Sequence, residues 1–212
     1  LDTLRYDSMG EKRNGVSLPP EIDKLKTDSV VFNNAYTQSS WTLASFASFF
    51  TGLYEFNHQV TRITSIEKSK PFLIEQIRNK FFTVNLNAGL WLEGKFGFSR
   101  GFDYFDVVST PTDSYGGRVL FDRTIDMLNR SRIPKQFMFL HTYQIHSPFA
   151  PPEDYIKKLK LKVKEKNLDT YYYDKQYLSN FDPELPEEMM KLYEAEIKAF
   201  DDFYGNFVKK LK

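Results

Sequence analysis

The clearest periodicity lies toward the C-terminal end of the chain. From Pro186 onward, apolar side chains recur at Met190, Tyr193, Ile197, Phe200, Tyr204, Phe207 and Leu211, at spacings of three and four, which predicts an amphipathic helix. The same spacing at Val119, Leu120, Ile125 and Leu128 predicts a helix over 119–128. Phe72, Leu73, Ile74 and Ile77 predict a second, shorter one between Pro71 and Lys80. Gln136-Phe137-Met138-Phe139-Leu140 is different: an apolar run of strand length, the pattern of a buried strand. Phe81–Val84 and Val30-Val31-Phe32, β-branched and aromatic, are also expected as strands. Pro19-Pro20-Glu21-Ile22-Asp23-Lys24-Leu25 places proline and acids in the first turn of a short helix. Another helix is expected to begin at Thr42 and to close at Thr51-Gly52. The glycine-rich aromatic stretch from Gly94 to Asp103 reads as an ordered loop. No internal repeat is evident.

Helices alternating with strands predict an α/β layered fold with a largely parallel sheet. In such sheets sites gather at the carboxyl ends of the strands, and Asp2 and His141 both fall at expected strand exits. After His141 the chain runs through Thr142-Tyr143-Gln144-Ile145-His146-Ser147-Pro148-Phe149-Ala150-Pro151-Pro152, a proline-punctuated loop.

Composition narrows the function classes. The 212 residues are 41% apolar, enough for a sizeable core in one domain or most of a larger one. A formal net charge of +1 gives no whole-chain case for nucleic acid or an acidic membrane surface. The absence of cysteine excludes disulfides, zinc–thiolate sites and cysteine nucleophiles within the chain, and it assigns no compartment. No apolar run has the length of a transmembrane helix, and no leader pattern opens the chain. The start, without methionine and in what reads as a strand-end loop, is expected to be a cut N-terminus.

The first hydroxyl of Trp41-Thr42-Leu43-Ala44-Ser45-Phe46-Ala47-Ser48-Phe49-Phe50-Thr51-Gly52 stands where a polar loop, Tyr36 to Ser40, turns into a helix. Backbone N–H groups at a helix N-terminus attract anions, so Thr42 can face a phosphate or sulfate. Thr42 can equally be a helix cap, a common role for threonine. Asp2 can be a solvated turn residue, Asp7 a capping or solvated acid, and His146 a loop histidine bonded to backbone. His58 reads as structural, and the basic run Lys157 to Lys166 as a solvated helix face. The aromatics between Tyr171 and Phe181 read as a satellite core, with a sugar platform as the other reading.

Four segments, in order, resemble the sulfatase family of the alkaline phosphatase superfamily. Asp2-Thr3-Leu4-Arg5-Tyr6-Asp7 is similar to the family's first metal-binding loop, and Trp41 through Tyr54 to its nucleophile helix. Phe96-Gly97-Phe98-Ser99-Arg100-Gly101-Phe102-Asp103 resembles a family loop, and Phe139 through Pro152 the substrate-side histidine loop. The stretch from Leu192 to Gly205 is also similar. The resemblance implies a three-layer αβα sandwich with a mostly parallel central sheet, alkaline-phosphatase-like and truncated at both ends. Residues 1–212 would then be a partial catalytic domain, with the first strand and the later metal-ligand strand outside it.

The implied activity is metal-dependent hydrolysis of sulfate or phosphate esters. Thr42 falls on the nucleophile position and, with Asp2, would touch the metal. His146 matches the histidine that approaches the leaving group, and His141 one often found at that strand end. Lys95 and Arg5 are candidate substrate-binding cations. The implied cofactor is a divalent metal, Ca2+ first, with Mg2+, Mn2+ or Zn2+ as alternatives, and the partner a small-molecule or glycan sulfate or phosphate ester. No formylglycine is expected, because oxidising a threonine gives a ketone. Ala44 stands where the family usually has proline, and Phe46 where an arginine or histidine usually supports the nucleophile. Two further readings follow: a phosphotransferase or phosphodiesterase of the same superfamily, in which threonine is a known nucleophile, and a non-catalytic binding relative.

Overall fold

Along the chain the elements are β1 (Lys12–Arg13), β2 (Val16–Ser17), α1 (Pro20–Leu25), α2 (Thr42–Thr51), α3 (Glu55–His58), α4 (Leu73–Ile77), β3 (Phe82–Asn87), β4 (Tyr104–Val107), α5 (Gly116–Arg130), β5 (Gln136–Leu140), α6 (Glu153–Lys158) and α7 (Leu185–Leu211). This computed structural model describes residues 1–110, 112–166, 168 and 184–212, so the aromatics between Tyr171 and Phe181 lie outside the described residues. The chain forms two compact units. One comprises Leu1–Val31, Pro111–Ile125 and Thr142–Lys212, the other Phe32–Thr110 and Asp126–His141.

The second unit holds the sheet. Its order is β4-β3-β5, with both pairings parallel; Leu86 stands level with Asp106 on one side and Leu140 on the other. α2 lays Leu43, Ala47 and Phe50 into a core shared with Val60, Ile66, Phe72, Ile74, Leu92 and Phe98, against which Phe105, Phe137 and Phe139 of the sheet pack. Apart from Ala47, each such fully buried side chain contributes about 1.5–3 kcal/mol of apolar transfer free energy. Gly52, at φ 69°, ends α2 by donating its N–H to Ser48 O, a left-handed position that suits glycine. Thr83 and Asn87 of β3 are buried polar residues with internal partners: Thr83 Oγ1 donates to Gly101 O and Asn87 Nδ2 to Asn85 Oδ1. The result is the expected mixed α/β fold, a parallel three-stranded sheet flanked by helices.

In the first unit α7 is the organising element. Asp201, fully buried, accepts the N–H groups of Glu21 and Ile22 at 2.9–3.1 Å and so caps α1. Phe121 of α5 stacks on Phe207 at 4.5 Å. Arg13 pairs with Glu194, and Lys158 with Asp202.

Three local expectations are corrected. Val30-Val31-Phe32 forms no strand; Val30 and Phe32 are 82% and 78% exposed, and among the described residues no segment ladders with them. β-propensity without a partner to pack against does not make a strand. The helix expected between Pro71 and Lys80 is only Leu73–Ile77, because the N–H groups of Lys80 and Phe81 both turn back onto Ile77 O before β3. The basic run is not one helix face: only Lys157 and Lys158 sit on α6, Lys160 is left-handed at φ 53°, and Lys164 and Lys166 reach Glu184 and Glu153.

Candidate active site

The first unit brings Asp2 and the His146 loop together. Asp2 N–H donates to Thr142 O at 3.1 Å and Thr3 Oγ1 to Ile145 O at 3.1 Å, so the N-terminal loop is strapped along the histidine loop. Thr3 takes a left-handed φ of 56° to do so. Tyr193 of α7 fixes the strap from behind, donating its hydroxyl to Thr3 O and accepting Arg5 N–H, both at 2.8 Å. Tyr193 had signalled only an apolar helix position in the sequence, and its phenol does the positioning.

His146 is half-buried against the edge of Tyr143. Its Nδ1 lies 2.6 Å from Ser147 O. A carbonyl can only accept, so Nδ1 carries the hydrogen and Nε2 is the nitrogen left for a reacting oxygen. The Ser147–Pro148 peptide bond is cis.

The second unit carries Thr42 and His141. Trp41, not Thr42, is the N-cap of α2 and makes no side-chain cap bond; Thr42 is the first helical residue, half-buried. The threonine is therefore not the cap, and it stands in the turn whose N–H groups have no intrahelical acceptors. His141 follows β5 directly, its N–H donating to Leu86 O at 3.0 Å, so it does sit at a strand exit. It is buried, with the edge of Phe46 5.2 Å away and Phe139 stacked at 6.3 Å. Phe46, where the resemblance leads one to expect a cation, thus packs an aromatic ring on His141.

The two candidate substrate cations each hold a carboxylate. Arg5 grips Asp7 through both Nε and a terminal nitrogen, which pushes the guanidinium up and holds the Asp7 carboxyl below its ordinary range. Lys95 Nζ lies 3.0 Å from Glu93 and over the ring of Phe96, and is well exposed. A cavity of about 580 Å³ opens beside α2 on the Ser45–Ser48–Phe49 side, lined also by Tyr36, Thr37 and Tyr54 but not by Thr42.

Among the described residues no three His, Asp or Glu side chains converge as a metal cage. Asp2 and Thr42 alone do not make a complete site for a divalent cation. No helix among the described residues is long and apolar enough to cross a membrane.

The parallel three-stranded sheet flanked by helices defines a mixed α/β protein. The chain belongs to the sulfatase family, whose model matches residues 1–212. Members of that family are in general metal-dependent. Among solved structures, the chain is similar to the C-terminal periplasmic domain of EcEptC from Escherichia coli, solved as a complex with Zn: 17% identity, TM-score 0.67, covering 92% of this chain and 53% of that one. It is similar to the lipoteichoic acid synthase LtaP from Listeria monocytogenes at 18% identity and TM-score 0.62, covering 95% and 48%. BT4656, in complex with its substrate D-glucosamine-2-N,6-O-disulfate, matches at 13% identity and TM-score 0.66, covering 93% and 58%. At these identities the likeness is one of fold. The chain spans about half the length of these structures. No curated protein matches it by sequence.

Proposed function

We propose that the protein is a metal-dependent hydrolase of sulfate or phosphate esters in which Thr42 is the nucleophile. The observation that carries this reading is the place of Thr42 in the first turn of α2, in a chain that the sulfatase family matches over its whole length. In the reaction, Thr42 Oγ1 as alkoxide forms a bond to sulfur or phosphorus in line with the leaving group. The ester oxygen departs with its bond pair and takes a proton from Nε2 of a protonated His146. Water then attacks the threonine ester, giving up a proton to His146, and frees the inorganic anion. The N–H groups at the start of α2 face the developing negative charge.

Asp2 is the carboxylate assigned to the cation, Ca2+ first by its oxygen chemistry, with the completing ligands outside the described residues. His141 acts as a positioning residue under Phe46. Arg5 and Lys95 contact the anionic ester only by sharing or leaving Asp7 and Glu93. The ester belongs to a small molecule or a glycan.

A second reading, transfer of a phosphoryl-type group to an alcohol, is favoured by the nucleophile itself, since threonine cannot become formylglycine and the neighbours include a lipoteichoic acid synthase. The two are separated by product analysis with an aryl phosphate, an aryl sulfate and added alcohol acceptors. In the intact protein Thr42→Ala should abolish turnover with little loss of stability, since Thr42 is not the helix cap; unchanged turnover dismisses Thr42. Thr42→Ser should retain measurable activity.

A further inference from the structure

Glu196 of α7 is a buried carboxyl that is poorly provided with partners among the described residues. It is 1% exposed, and its Oε1 accepts Ala150 N–H at 3.2 Å. Its Oε2 has no hydrogen-bond partner among the described residues, and neither does Nε2 of the buried Gln144. The Gln144 amide cannot be turned over to improve this. Its Oε1 accepts Gly117 N–H at 2.8 Å, and a backbone N–H can only donate. That contact is tight: a Cβ on Gly117 would stand 2.5 Å from Gln144 Oε1 and 2.8 Å from the ring of Phe200. By geometry neither atom completes a hydrogen bond, yet the Gln144 side chain still acts on the Glu196 carboxyl, so the two form a buried, poorly satisfied donor–acceptor pair.

Burial pushes Glu196 up to about 8, and the Ala150 N–H and the Gln144 side chain pull it back only in part. Among the described residues no charge offsets the burial. Lys198 on α7 is held by Asp201 and Asp202, and Lys158 on α6 by Asp202. Arg118 on α5 pairs with Asp122, the Tyr193 hydroxyl with Thr3 and Arg5, and His146 Nδ1 with Ser147. The carboxyl meets the histidine loop four residues beyond His146. The strap of Asp2 and Thr3 holds the near end of that loop, and Ser114 Oγ donates to Ala150 O at the far end.

We propose that the Glu196 carboxyl is the positioning group of the loop that carries His146, holding the loop while it keeps its proton and releasing it when ionised. A neutral acid tolerates this site, whereas an anion with only the Ala150 and Gln144 amides beside it and no cation among the described residues must reach water, and the loop is what can move to admit it. Because the folded form binds the proton more tightly than the open form, closure is at full strength below the ordinary glutamate range. It is lost as pH rises through about 8. Any effect on turnover rests on the role proposed above for His146; closure of the loop does not.

Hydrogen exchange of the intact protein, read by mass spectrometry on peptides spanning 142–152, tests this. Corrected for intrinsic exchange, wild-type protection should be greatest below the ordinary glutamate range, fall about tenfold per pH unit from there to about pH 8 and level off above it, while β3 peptides keep theirs. Glu196→Gln keeps an oxygen for Ala150 N–H and cannot ionise, so its profile should be flat. A flat wild-type profile, or the same fall in both proteins, overturns the proposal. Should the variant not fold, infrared difference spectra of the wild type serve instead: a buried protonated carboxyl band should bleach between about pH 7 and 9, and its absence overturns the proposal. If exchange behaves as expected but kcat does not fall over the same pH range, the role of His146 fails and the positioning role of Glu196 stands.

Discussion

His58 shows how a single side chain is committed by its neighbours. Val60 N–H donates to its Nδ1 at 3.0 Å, so the ring hydrogen sits on Nε2 and is given to Ser48 Oγ at 2.9 Å. That direction of donation makes Ser48 an acceptor, so the pair is not a serine nucleophile with its base. Burial lowers the His58 pKa, which keeps the ring neutral in the fold. In the unfolded chain it titrates near the ordinary value of about 6.5. The depressed folded value means that its contribution is present above that pH and is lost as pH falls below it. The urea midpoint should therefore drop between about pH 7 and 5 more steeply in wild type than in His58→Gln; equal slopes would show that the ring does not carry the effect. Thr42 is the converse case: sequence left cap and nucleophile open, and the placing of the cap at Trp41 removes the first.

At the scale of elements, the connection between α7 and α1 is carried by one carboxylate. Asp201 raises its own pKa by being buried, against the pull of the Ile22 and Glu21 N–H groups and Lys198. Replacing it with alanine strands two donors and leaves the buried Lys198 ammonium to Asp202 alone, and should cost about 2–4 kcal/mol in denaturant unfolding. Asp201→Asn, which keeps an acceptor, should cost clearly less, and equal losses would point to packing instead. Elements also differed in how well the sequence announced them. β5 and α7 were legible because one apolar run and one three-four spacing suffice. The β1–β2 hairpin was overlooked although Asn14-Gly15, at φ 50° and 80°, is a strong two-residue turn signal. β4, Tyr-Phe-Asp-Val, carries too short a pattern to separate it from the glycine-rich loop before it.

For the whole molecule, the open matter is the cation. Asp2 is strapped into place by Thr142 and Tyr193, yet the described residues assemble no three-ligand cluster around it. Titration of the 212-residue polypeptide with Ca2+, Mg2+, Mn2+ or Zn2+ should therefore give only weak, unsaturated heats by calorimetry. Tight one-to-one binding would show that the chain completes the site itself. In the intact protein a chelator should abolish turnover and the returning metal restore it.

What the sequence settled by itself is local or cumulative: the apolar periods of β5, α2 and α7, the left-handed stop at Gly52, and the family, which rests on several short motifs in order. What only the tertiary structure decided is pairwise and distant. Whether Val30–Phe32 finds a ladder partner, which nitrogen of His58 and His146 holds the hydrogen, that Tyr193 clamps a loop 190 residues away and that Glu196 is buried without a counter-charge all depend on what lies opposite. Propensity is a property of a residue and its chain neighbours; desolvation and hydrogen bonding belong to the partners that folding brings up.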